Sequence, residues 1–124
     1  MEIVSERIQL QSIQSIQSTI RKSENALTQM TQKGANTTLI EKRLKALRIG
    51  LSMLEHVWQH KPHPYTSGDL TEARSVLTGL MPNIENSLVK AKEGSPQRTL
   101  LIRRIQALEL AVQAMDDLMK EEHQ

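Results

Sequence analysis

The chain has 124 residues, an apolar fraction of 38%, a charged fraction of 24% and a net charge of +2. That length supports one domain around one core, and so small a charge does not by itself call for nucleic acid. The sequence has no cysteine, which excludes disulfides, thiolate metal sites and a cysteine nucleophile.

One Trp, one Tyr and no Phe leave the core to aliphatic residues and Met, which suits helix-on-helix packing rather than strands. The start, MEIVSERIQL, has early acids and no apolar stretch, so no secretory leader is expected. No apolar run approaches the roughly 18 residues that a membrane span needs. A cytoplasmic location with no membrane partner is the expectation.

In chain order, residues 3–32 are expected to form a first helix. Ile13, Ile16, Ile20, Leu27 and Met30 fall on alternating three- and four-residue spacings, with Ser23 in the missing slot. The section QLQSIQSIQST is rich in Gln and Ser, so its first turns should fray. Gly34 suits a left-handed cap.

Thr38 and Glu41 have capping-box spacing and should open a second helix running to about His60. Its seam is Ile40, Leu44, Leu47, Leu51, Leu54 and Trp58, the 3.5-residue period of a bundle. Trp58 should plug the bundle end, with Tyr65 covering it. Residues 61–68 read as the linker, because Pro62, Pro64 and Gly68 oppose helix there.

Asp69 and Glu72 offer a second capping box for helix three, whose seam is Leu70, Ala73, Leu77, Met81, Ile84, Leu88 and Ala91. Pro82 lies within it and predicts a kink or short break near residues 79–82. Gly94 is placed to cap helix three, and Ser95-Pro96 to open helix four. Helix four has the seam Leu101, Ile105, Leu108, Val112, Met115 and Met119, and residues 120–124 should be a disordered tail.

The two halves repeat. At an offset of 61, residues 24–58 lie over residues 85–119 without a gap. Glu24/Glu85, Asn25/Asn86, Leu27/Leu88, Thr38/Thr99, Leu39/Leu100, Arg43/Arg104, Ala46/Ala107 and Leu47/Leu108 are identical pairs. This pattern predicts a duplicated helical hairpin (hairpin A 3–60, hairpin B 69–120). Neither hairpin can bury its apolar face alone, so the fold class expected is all-α, a single four-helix bundle with approximate two-fold symmetry.

Helices two and four carry a second apolar stripe: Leu39, Ala46, Ile49, Met53 and Val57, matched by Leu100, Ala107, Leu110, Ala114 and Leu118. Either these helices are central and the stripe is core, or it is the interface of a homodimer or a docked protein partner. Charge is split: residues 1–62 hold nine Lys/Arg against five Asp/Glu (+4), and residues 63–124 seven against nine (−2). That polarity is compatible with self-complementary association.

Three weaker constellations compete. His56, His60 and His63 include an i, i+4 pair able to share a metal or small ligand. Histidines at a helix C-terminus favouring its dipole are the plainer reading, and no cofactor is expected. Lys42, Arg43, Lys45 and Arg48 form a basic run that could hold phosphates without reading bases. With no helix-turn-helix and few aromatics to stack on, a nucleic-acid partner is not the expectation. Asp116-Asp117 and Glu121-Glu122 are neighbours that point apart on a helix. No nucleophile elbow, phosphate loop or di-iron Glu-x-x-His pair is present, so the chain is not expected to be an enzyme. The sequence reading is a non-enzymatic helical interaction or regulatory module, working through helices two and four.

Overall fold

The computed structural model describes residues 3–122. Four helices account for most of them: α1 Glu6–Gln32, α2 Thr38–Gln59, α3 Ser67–Lys90 and α4 Pro96–Glu122. No strand occurs among the described residues. Residues 120–122, expected in a tail, continue α4, and the last two residues of that expected tail lie outside the described ones.

The helix ends show which local signals prevail. Ser5 caps α1, its Oγ accepting from the Ile8 amide at 3.3 Å. Gly34 takes φ +72° just past α1, as its position suggested, and its amide donates to the Thr31 carbonyl.

The box expected at Thr38 is not made. Thr38 is already helical; its amide donates to Asn36 Oδ1 at 2.9 Å, while Thr37 Oγ1 donates to the Glu41 carboxylate at 3.1 Å. The third helix begins before Asp69, so that residue is the acid of a box rather than its first member. Thr66 Oγ1 accepts from the Asp69 amide, and the Asp69 carboxylate accepts from the Thr66 amide at 3.0 Å.

α3 runs unbroken through Pro82. It stops at Ala91 in an extended conformation, so Gly94, at φ +79°, shapes the turn into α4 rather than capping α3. Ser95 caps α4 as expected, accepting from the Arg98 amide at 3.2 Å.

Each hairpin closes across a short loop, 33–37 in one and 91–95 in the other. In the second, Arg74 reaches Asp116, Thr71 reaches Met119 and the Arg98 guanidinium donates to the Leu88 carbonyl, which makes α3 and α4 antiparallel. α2 touches every other helix, as does α4, whereas α1 and α3 make no contact among the described residues. The second helix of each hairpin is therefore central.

Their offset-61 counterparts meet in space. Arg43 and Leu47 share a cavity with Arg104 and Leu108, Gly50 approaches Ala111, and His56 and Val57 share a cavity with Asp117 and Leu118. The core consists of Ile16, Ile20, Leu44, Leu47, Leu54, Leu70, Leu77, Leu108, Met115 and their neighbours. Trp58 and Tyr65 are half-buried against it.

Candidate functional site

The second apolar stripe divides along its length. Ala46, Ile49, Met53, Ala107 and Ala114 are buried within the single chain, each at 2% exposure or less. They cannot meet a partner, because they fill the contact that α2 and α4 make with each other and with α1 and α3. Over these residues the core reading replaces the interface reading. Val57, Leu110 and Leu118 are half-buried against the same core.

Leu39 and Leu100 remain out, at 58% and 50% exposure. Three more large apolar side chains are exposed beside the loop of the second hairpin or on α1: Val89, Ile102 and Leu10.

The basic run of α2 is not a free cationic face. Arg48 pairs with Glu24 of α1 at 2.8 Å. Lys42 and Lys45 line a groove with Asp69 and Glu72 of α3. The Thr66 amide above all, with lesser help from the Thr66 hydroxyl and the nearby Lys45, holds the Asp69 carboxyl below its ordinary value against the opposing effect of burial. Arg43 alone turns elsewhere, into the cavity shared with Arg104. Arg48 thus has an acid partner on α1, and Lys42 and Lys45 lie in a groove that also holds two acids of α3.

Two of the three histidines bond to the chain through one ring nitrogen each. His60 ends α2 in the left-handed region at φ 57° and is exposed. His56 Nδ1 lies 2.8 Å from the Lys61 carbonyl oxygen, so that nitrogen carries the proton and donates. His63 Nδ1 accepts from the Tyr65 amide at 3.2 Å. The His63 ring stands edge-on to His56 and stacked along Tyr65.

This arrangement folds the 60–66 linker back on the end of α2. Among the described residues no group of three or more His, Asp or Glu is placed to hold a metal ion. Of the paired carboxylates, Asp116 binds Arg74 at 2.6 Å.

A different constellation emerges between α1 and α4. A groove of about 160 Å³ is lined by Gln11, Gln14, Ser15, Ser18 and Lys22 of α1 with Leu100, Arg103 and Arg104 of α4. It holds three cations and no carboxylate. None of the three has an ion pair or hydrogen bond among the described residues, and Arg104 Nε is buried without a partner.

At the 61-residue offset this groove is the counterpart of the α2–α3 groove: Arg103 corresponds to Lys42, Gln11 to Glu72 and Ser15 to Val76. Sequence reasoning did not find it, because its parts lie some 80 positions apart and become neighbours only through the α1–α4 contact. The available signal was the repeat itself: where the second copy has Glu72 the first has Gln11, and where it has Asp69 the first has Ile8.

No helix among the described residues is long and apolar enough to cross a membrane. Comparison with protein-family models, with curated proteins and with solved structures finds no match to this chain.

Proposed function

We propose that this chain is a non-enzymatic helical binding module. It works by association with a protein, a second copy of itself included, through the loop-side ends of its hairpins. The observation that supports this reading is the pair Leu39 and Leu100. They hold equivalent places in the repeat, near the start of the two central helices, and both stay about half exposed while the rest of their stripe is withdrawn into the core or against it.

Val89 and Ile102 extend the apolar surface at the second hairpin, at 83% and 47% exposure. A leucine repeated at an exposed position in both halves is a poor fit to solubility alone. The gapless repeat and the matched meeting of α2 with α4 favour an origin by duplication of one hairpin, with a bend at Pro82 as a feature of the second copy only.

Light scattering over a concentration series tests the reading. The wild type should gain mass with concentration. Leu39→Glu combined with Leu100→Glu should remain monomeric with an unchanged far-ultraviolet helical signal. A wild type that stays monomeric at the highest concentration removes self-association, and identical behaviour of the double variant removes these leucines from the surface.

A further inference from the structure

We infer that the α1–α4 groove is an anion site that takes the phosphate group of a small organic phosphate on Lys22, Arg103 and Arg104. This goes beyond the association surface, which uses other residues apart from Leu100 at the groove edge. Two grooves at equivalent places in the repeat carry different charges. In the α2–α3 groove, Lys42 and Lys45 share the lining with the acids Asp69 and Glu72, and Lys45 acts electrostatically on the Asp69 carboxylate.

In the α1–α4 groove Arg103 stands at the position equivalent to Lys42 and Gln106 at that of Lys45, while Lys22 and Arg104 add two cations with no counterpart in the lining of the other groove. The acids are replaced by Gln11 and Ile8. Like charges brought together at a helix contact repel. A buried guanidinium N–H without an acceptor also costs stability. A bound anion relieves both.

The chemistry of the lining narrows the anion. Two guanidinium groups can fork onto a tetrahedral phosphate, and an ammonium adds a third charge. The hydroxyls of Ser15 and Ser18 and the amides of Gln11 and Gln14 add neutral donors along the α1 side. No aromatic side chain lines the groove, so there is no platform for the bases of a single strand. That favours a compact phosphate ester over a nucleic-acid strand.

Behind the groove, Arg104 also borders a second cavity of about 290 Å³, lined from all four helices. Arg43 and Arg104 stand there as an equivalent pair, with Thr19, Ser23 and Asn83 as its polar lining and Leu47 and Leu108 among its apolar residues. This leaves room beside the phosphate position for the remainder of a small ligand.

The test titrates the full chain with inorganic phosphate, at ionic strength held constant with chloride, and follows amide shifts by nuclear magnetic resonance. Saturable shifts are expected at residues 11–22 and 100–104, with a melting temperature that rises with phosphate but not with chloride. Lys22→Gln and Arg103→Gln, both away from the core, should each weaken binding about tenfold, the loss of one charge-assisted contact.

Lys42→Gln with Lys45→Gln, in the groove that also holds Asp69 and Glu72, should leave the affinity unchanged. Shifts that never saturate, or a loss as large from the Lys42 and Lys45 variants, would overturn the site. Tighter binding of a 12-residue single-stranded DNA, with affinity rising with strand length, would replace the small phosphate ester by a nucleic-acid strand.

Discussion

The single residue with the most legible chemistry is Asp69. Its carboxylate accepts from the Thr66 amide at 3.0 Å while its own amide donates to the Thr66 hydroxyl at 3.1 Å. The bond from the Thr66 amide holds the ionised form, with the Thr66 hydroxyl and Lys45 adding smaller pulls, so the carboxyl titrates below its ordinary value in the folded chain. The folded state therefore binds this proton less readily than the unfolded one. The stabilisation is complete above the ordinary aspartate value and is lost as pH falls through the lower, folded value. Denaturant midpoints measured from neutral pH downward should drop more steeply for the wild type than for Asp69→Asn, which has no such proton to take up. Thr66→Ala should cost about 1 kcal/mol at neutral pH, the usual worth of an N-cap. Equal acid slopes for the wild type and Asp69→Asn would mean that the box is not formed in solution. His60 makes the contrasting point at this scale. It looked like a ligand because of its spacing from His56, but it sits in the left-handed region as the end of α2, a role usually given to glycine or asparagine.

At the scale of the element, the stripe on α2 carries the sharper prediction. Ile49 and Met53 are 2% and 1% exposed, between α2 and its three neighbours. Ile49→Glu would bury a charge with no partner and lose an apolar side chain together. This should cost at least about 3–5 kcal/mol, a large part of the stability of a domain this size. The expected outcome is loss of the helical signal, whereas Leu39→Glu, at an exposed position of the same stripe, should keep it. A folded, monomeric Ile49→Glu protein would mean that the stripe lies outside the core. The seams themselves were legible because a 3.5-residue period survives any tertiary detail: Leu44, Leu47, Leu54, Leu70, Leu77, Leu108 and Met115 are all buried where the spacing put them. The caps were less so. Asp69 reads as the first residue of a box, but Thr66 has the same three-residue spacing to Asp69, and the choice depends on whether the helix extends across Ser67 and Gly68. Ser12, fully buried with no acceptor or donor for its hydroxyl, was invisible in a Ser- and Gln-rich stretch. The site was least legible of all. A basic run on one helix cannot reveal that acids on α1 and α3 face it, nor can Lys22 reveal that Arg103 lies across the groove.

For the whole molecule, everything turns on how closely the two hairpins approach, and that is set at one place. Gly50 and Ala111 are equivalents in the repeat and meet where α2 and α4 pack. A Cβ added at Gly50 would lie 3.2 Å from Leu77 Cδ1 and 3.5 Å from the Ala111 Cβ. The second distance is ordinary contact; the first needs a small shift of a side-chain end. Gly50→Ala thus sets a gain in helix propensity of up to about 1 kcal/mol against a slight rearrangement of Leu77, and should change stability little. A larger side chain has no such outlet, since α3 and α4 stand on both sides. Gly50→Leu should cost about 1–3 kcal/mol by overpacking, lowering the melting temperature by on the order of 5–15 °C for a chain of this length. The same wedge would separate Arg43 from Arg104 and loosen the contacts of α1 and α3 with the central pair. Its effect should therefore reach amide protection in all four helices, not in α2 alone. Hydrogen exchange on the wild type and Gly50→Leu decides this. Loss of protection spread across both hairpins places the Gly50–Ala111 contact at the centre of the fold. A change confined to residues 46–54 would mean that the hairpins hold together by other contacts.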